Sequence, residues 1–203
     1  MNYLQSVLPL LSQMLLMLVL INMIIGRWIN VSRIRFAVIA ALLLLGLLAP
    51  VNGLSVSQWL RSVVGDLSVL TLVVFLDVLT RRLLGSSLLK FSSRNYLLRG
   101  IALTGAVFYP LALGLTAYDP YQLGYAPILL GTLLVCFSLL AWFRSMRDLA
   151  VVLLLPLLAY NLHLLESANL WEYLLDPVLL SYALVQGVFT IKFIRFKSDG
   201  SRT

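Results

Sequence analysis

Residues 81–118 read RRLLGSSLLKFSSRNYLLRGIALTGAVFYPLALGLTAY. A polar gap carrying Arg81, Arg82, Lys90, Arg94 and Arg99 runs into a stretch without charge from Gly100 to Tyr118, and an acidic turn, Asp119-Pro120, closes it. Basic residues resist crossing an energised membrane and stay on the cytoplasmic side. The stretch therefore reads as one membrane crossing with its basic side inside, and it sets the orientation of everything around it.

Working outward, Arg27, Arg33 and Arg35 share one polar gap, Arg144 and Arg147 another, and Lys192, Arg195, Lys197 and Arg202 lie in the tail, so that of the 15 Lys and Arg only Arg61 falls on the opposite side. A helix rises about 1.5 Å per residue, and roughly 20 apolar residues are needed to cross the hydrocarbon core. Runs at 4–26, 35–50, 62–80, 100–118, 126–143, 149–165 and 178–194 meet or approach that length. The fold expected is an all-α membrane protein, a polytopic bundle of about seven transmembrane helices in a single domain over residues 1–203, with the N-terminus outside and the C-terminus cytoplasmic. Pro50 and Pro156 shorten the second and sixth runs, and a six-span threading is the alternative.

Composition agrees. A 203-residue chain that is 61% hydrophobic and 11% charged has more apolar surface than a water-soluble domain of that size hides. Its mean hydropathy is +0.98. The formal charge of +7 sits in short juxtamembrane gaps and forms no separate basic domain, so the partner expected is anionic lipid on the cytoplasmic face, with no nucleic acid. Cys136 is alone and excludes an intramolecular disulfide. No Lys or Arg lies between Met1 and Gly26, so a cleavable signal peptide with its basic start is not expected. The bacterial inner membrane is the expected location.

The connections on the far side carry Asp119, Glu166, Glu172 and Asp176, turn residues and aromatics, without a basic residue. Trp59, Tyr118, Tyr121, Tyr125, Tyr160, Trp171 and Tyr173 form one aromatic belt, and Trp28, Tyr96, Trp142 and Phe196 the other. The gap from Arg81 to Arg99 places Leu84, Leu88 and Phe91 at helical spacing, which suits a segment lying on the inner leaflet. Its Lys90, Arg94 and Arg99 are the residues expected to meet lipid or a partner protein, as are Trp171, Glu172 and Asp176 on the other side. Small residues four apart, at Ala37 and Ala41, Ala102 and Ala106, and Ala183 and Gly187, foreshadow helix contacts.

Few side chains offer chemistry. Asp66 and Asp77 both lie in the third apolar run, where eleven residues of continuous helix would put them on one face about 16 Å apart. Carboxylates so placed are a possible ion path, with pairing to Arg81 four residues beyond Asp77 as the structural alternative. His163, Glu166 and Asp119 are a possible outer polar site, but no metal is expected, because the chain has one His and no HExxH. There is no GxSxG, P-loop or dinucleotide-binding glycine pattern, and neither a catalytic residue nor a cofactor is expected. The leading expectation is a non-enzymatic integral subunit or accessory protein of an inner-membrane assembly handling envelope lipids or glycans, partnered by another membrane protein. The alternatives are a small transporter subunit using Asp66 and Asp77, and a lipid-headgroup enzyme using the outer acids.

Overall fold

Caps and glycines, more than hydropathy, decide where the apolar runs are cut. The computed structural model describes residues 3–24, 32–115 and 117–187. Helix accounts for 78% of the chain and establishes the all-α class. The first two helices are α1 (Tyr3–Ile24) and α2 (Arg33–Leu48), the second capped by Ser32, whose hydroxyl accepts the Arg35 N–H. A two-residue hairpin follows, β1 (Pro50–Val51) against β2 (Leu54–Ser55). Its turn residues, Asn52 and Gly53, have φ of 51° and 83°, the left-handed pair that an Asn-Gly hairpin supplies.

The third run is broken, against the expectation of one helix over 62–80. Helix α3 (Val56–Val64) begins at a capping box between Ser55 and Gln58 and stops at Gly65, which takes φ 78°. Helix α4 (Val69–Leu84) starts afresh at Ser68, whose hydroxyl accepts the Thr71 N–H. A stop signal and a start signal three residues apart leave no room for a continuous helix, and the two axes are bent by 118°. Asp66 lies in the break and Asp77 on α4, so they do not share a helix face.

The fourth run is longer than expected. Helix α5 (Phe91–Pro110) absorbs the second half of the basic gap and α4 its first four residues, leaving residues 85–90 as the connection; α5 continues through a π-turn, Leu111–Leu115, that is interrupted at Gly114 with φ 87°. A 3-10 turn, Pro120–Gly124, capped by Asp119, leads to α6 (Ile128–Phe143). Ser145, at φ 60°, turns the chain into α7 (Arg147–Asn161), and the short α8 (Leu170–Leu174) precedes α9 (Pro177–Gly187).

Helix α4 is the hub, packed on α1, α7 and α8, while α6 and α7 form the closest helix pair. Phe75, Val74, Leu170, Tyr173 and Leu179 are buried completely or nearly so, and the Phe75 ring meets Tyr182 edge-on at 5.8 Å. Of the small-residue pairs, Ala37 and Ala41 face outward. The tight approach is at Gly105, where a Cβ would come within 2.6 Å of Leu180 Cδ1.

The exterior stays apolar. Leu42 and Leu45 on α2, Leu103 and Val107 on α5, and Ile128 and Phe143 on α6 are each more than half exposed, a surface that supports membrane association. By length and composition one helix can cross alone, α5 with its π-turn, 25 residues at mean hydropathy 1.5. The bent pair α3 and α4 qualifies only jointly, so among the described residues one or two segments meet the requirement, and the expected seven spans are not confirmed. Helix α6, with 16 residues, is about 24 Å long against a hydrocarbon core of about 30 Å. Arg27, Trp28, Phe196 and the basic residues of the tail lie outside the described residues.

Candidate functional site: two buried carboxylates and an apolar cleft

Asp77 and Asp176 are the two carboxylates withdrawn from solvent among the described residues. On α4, Asp77 reaches across to the α4–α5 connection, where its Oδ1 accepts the N–H groups of Leu88 and Leu89 at 2.9 and 3.0 Å. Its Oδ2 lies 3.1 Å from Arg81 Nη2 and 3.9 Å from Arg94 Nη1. These are charge contacts without hydrogen-bond alignment, so Oδ2 accepts no hydrogen bond and is held by the two guanidinium charges. The predicted Arg81 partner is present, and Arg94, expected at a docking surface, is instead drawn inward over the Phe91 ring. Thus Asp77 clamps a loop and two arginines to one helix.

Asp176 is held without a cation among the described residues. Its Oδ1 accepts the Leu179 N–H at 2.7 Å, capping α9, and its Oδ2 accepts the Ser68 N–H at 2.7 Å at the start of α4 and a hydrogen bond from the Thr71 hydroxyl. Two helix N-termini converge on one carboxylate, and their amide dipoles favour the negative charge. Sequence reading placed Asp176 in a far-side connection, as a residue meeting lipid or a partner, whereas it is buried here. The recoverable signal was Asp-Pro at the head of an apolar run, an N-cap followed by proline at the first helical position.

The remaining acids are also engaged. Arg61 grips Asp66 through Nε and Nη2 at 2.7 and 2.8 Å and reaches Glu166 at 2.9 Å. The one basic residue that defied the charge bias is therefore neutralised by two carboxylates. Asp119 accepts the Tyr121 N–H at 2.9 Å. Asp148 accepts the Lys90 N–H at 2.7 Å and the Ser93 hydroxyl at 2.8 Å, which fixes the start of α5. Burial opposes its ionisation, yet these donors and the Leu149 N–H hold its carboxyl below the usual range. The Lys90 and Arg99 side chains are exposed.

Glu172 accepts a hydrogen bond from the Tyr121 hydroxyl. Burial, then the bond to Glu172 and its charge, push the Tyr121 phenol well above its ordinary value, so it stays a donor. Trp171 donates to the Pro120 carbonyl at 2.9 Å and packs 4.4 Å from Phe108. Gly124 completes this aromatic end, because a Cβ there would lie 1.7 Å from Asn169 Oδ1. Tyr173 is fully buried and is no part of a surface belt. His163, at φ 50°, stacks on Tyr160 and contacts the Asn161 carbonyl. Among the described residues no three His, Cys, Asp or Glu converge as a cation site, so His163, Glu166 and Asp119 do not form a ligand set.

Sequence reading missed two further features. Gln13 is fully buried in α1 and donates to the Gly65 carbonyl at 3.3 Å, which fastens α1 to the helix break. A cleft of about 450 Å³ opens between α5 and α6 over a floor of α7 and α8. Leu97, Ile101, Leu134, Leu153 and Leu174 line it, with Tyr96, Arg144 and Met146 toward one end and Trp171 toward the other. It exists because α5 leans on α7 without packing closely on α6. The chain matches no protein-family model, no curated protein and no solved structure.

Proposed function

We propose that the chain is a non-enzymatic multi-pass subunit or accessory protein of a membrane assembly that handles envelope lipids or glycans, seated in a bacterial inner membrane with its basic end cytoplasmic. The observation that carries this reading is that every acidic side chain among the described residues is engaged by the protein's own N–H, hydroxyl or guanidinium groups, while the cleft is apolar. Acids spent on caps and clamps are not free to transfer protons or bind a divalent ion. The transport alternative drew on a continuous helix carrying Asp66 and Asp77, and that helix is broken at Gly65.

The threading draws support from both chain ends of α5. Arg81, Arg94, Arg144 and Arg147 border the end at which α5 begins, and Asp119, Glu172 and Asp176 border the end at which it finishes. Reporters active only in the cytoplasm are expected to work after Thr203, and reporters active only outside near Asp119 and Glu172. Purification in mild detergent is expected to bring down a stoichiometric membrane partner. A chain that runs alone and turns over lipid by itself would sink the subunit reading.

A further inference from the structure

We propose that the cleft between α5 and α6 holds one acyl chain of an anionic glycerophospholipid, with the phosphate on Arg144. This rests on the membrane placement proposed above and names the ligand class for the same molecule.

Three observations carry it. The walls are apolar along α5 from Tyr96 to Thr104, which is about 12 Å of groove. Gly100 lies on the α5 wall, and a Cβ there would meet nothing within 4 Å, so the space beside it is open. Arg144, at one end of the cleft, is exposed, and its side chain has no ion pair or hydrogen bond among the described residues. Of the basic residues at this end, Arg144 is the one that lines the cleft; Arg81 and Arg94 are held by Asp77, Arg147 lies on the Trp142 ring, 5.4 Å from its centroid, and Lys90 and Arg99 are exposed outside the lining. A guanidinium left over at the mouth of an apolar groove complements a phosphate whose hydrocarbon runs into that groove.

The test is retention of lipid by the full chain released from vesicles of equimolar phosphatidylglycerol and phosphatidylcholine, read by native mass spectrometry. The chain is expected to keep phosphatidylglycerol in preference to phosphatidylcholine by about tenfold, the scale of one charge-assisted contact. Arg144→Gln is expected to abolish the preference while still keeping some of both lipids. Gly100→Leu fills the groove without a backbone clash and is expected to lose both adducts at unchanged melting temperature. Retention unaltered by Gly100→Leu, or a preference unaltered by Arg144→Gln, overturns the proposal. So does a mass of two chains in place of chain plus lipid, which would put a second copy in the groove. A prior carbonate wash separates the failures: a chain that washes off the membrane overturns the proposed function as well, whereas an integral chain that keeps no lipid overturns the lipid site alone.

Discussion

Asp77 and Asp176 solve the same problem with different materials. Asp77 is balanced by Arg81 and Arg94, and Asp176 by the amides of Ser68 and Leu179 and the hydroxyl of Thr71. The difference follows from where each sits. Arginine is plentiful at the end that holds Asp77, whereas at the other end the one arginine among the described residues, Arg61, is committed to Asp66 and Glu166. A carboxylate buried there has to be satisfied by backbone, and converging helix N-termini are the backbone arrangement that favours an anion most. The uneven distribution of basic residues thus matches the kind of acid clamp found at each end.

Substitution by asparagine tests the contrast directly. Both carboxylate oxygens of Asp176 accept from neutral donors, so a side-chain amide at that position would aim its NH2 at one of those donors. Asp176→Asn is expected to cost about 2–3 kcal/mol, read as a lowered melting temperature in detergent. Loss of less than about 1 kcal/mol would mean that the two helix starts do not depend on the carboxylate. At Asp77 the same change keeps Oδ1 for Leu88 and Leu89, and the new NH2 faces arginines that can swing out to headgroups or water. Asp77→Asn is accordingly expected to cost about 1 kcal/mol, with activity of any assembly preserved. A penalty at Asp77 as large as at Asp176 would erase the comparison.

Smaller still is the expected effect of Arg61→Gln. Its side chain and that of Glu166 are 32% and 54% exposed, and screening reduces such pairs to under about 1 kcal/mol. Its sharper readout is orientation, since removing the lone outlying basic residue leaves the charge bias stronger, and topology reporters near Asp119 should be unchanged or more uniform.

The smallest effect expected is local and depends on pH. Asp148 has a folded value below the ordinary carboxyl value of about 3.9, so it stabilises the fold above that pH and the contribution is lost as pH falls through the depressed value. Hydrogen exchange at the Lys90 amide, corrected for its intrinsic rate, should therefore be steady from neutral to about pH 4 and accelerate below it. Equal acceleration in Asp148→Asn would show that another group controls this helix start.

Helix content was legible because apolar runs separated by charge clusters have one economical reading. The break after α3 was not taken from hydropathy, since Val63, Val64 and Leu67 keep the run apolar across it. Its signal was local, Ser55 with Gln58, then Gly65, then Ser68, in the language of caps. The start of α5 was hidden for the opposite reason. Ser92, Ser93, Arg94 and Asn95 look like a loop, and it takes Asp148, far away in sequence, to hold the Lys90 N–H and the Ser93 hydroxyl at the start of the helix. Individual polar residues such as Asp77, Asp66 and Glu172 could be flagged in advance as unusual, but their partners could not, because only Arg81 lay within one helical turn of any of them at matching spacing. The cleft was invisible in the same way, since a gap between α5 and α6 is a property of what both lean on.

The turn between α6 and α7 bears on how the chain assembles. Residues Arg144 to Met146 alone join two helices that make extensive contact with each other, and the Ser138 hydroxyl donates to the Ala150 carbonyl across them at 2.8 Å. So short a closure loses little chain entropy, whereas α1 must find α4 over about 45 residues of intervening chain. The hairpin of α6 and α7 is thus the unit that closes at the smallest entropic cost once both helices are made, and α4, which packs on both α7 and α1, is what joins it to the N-terminal helices.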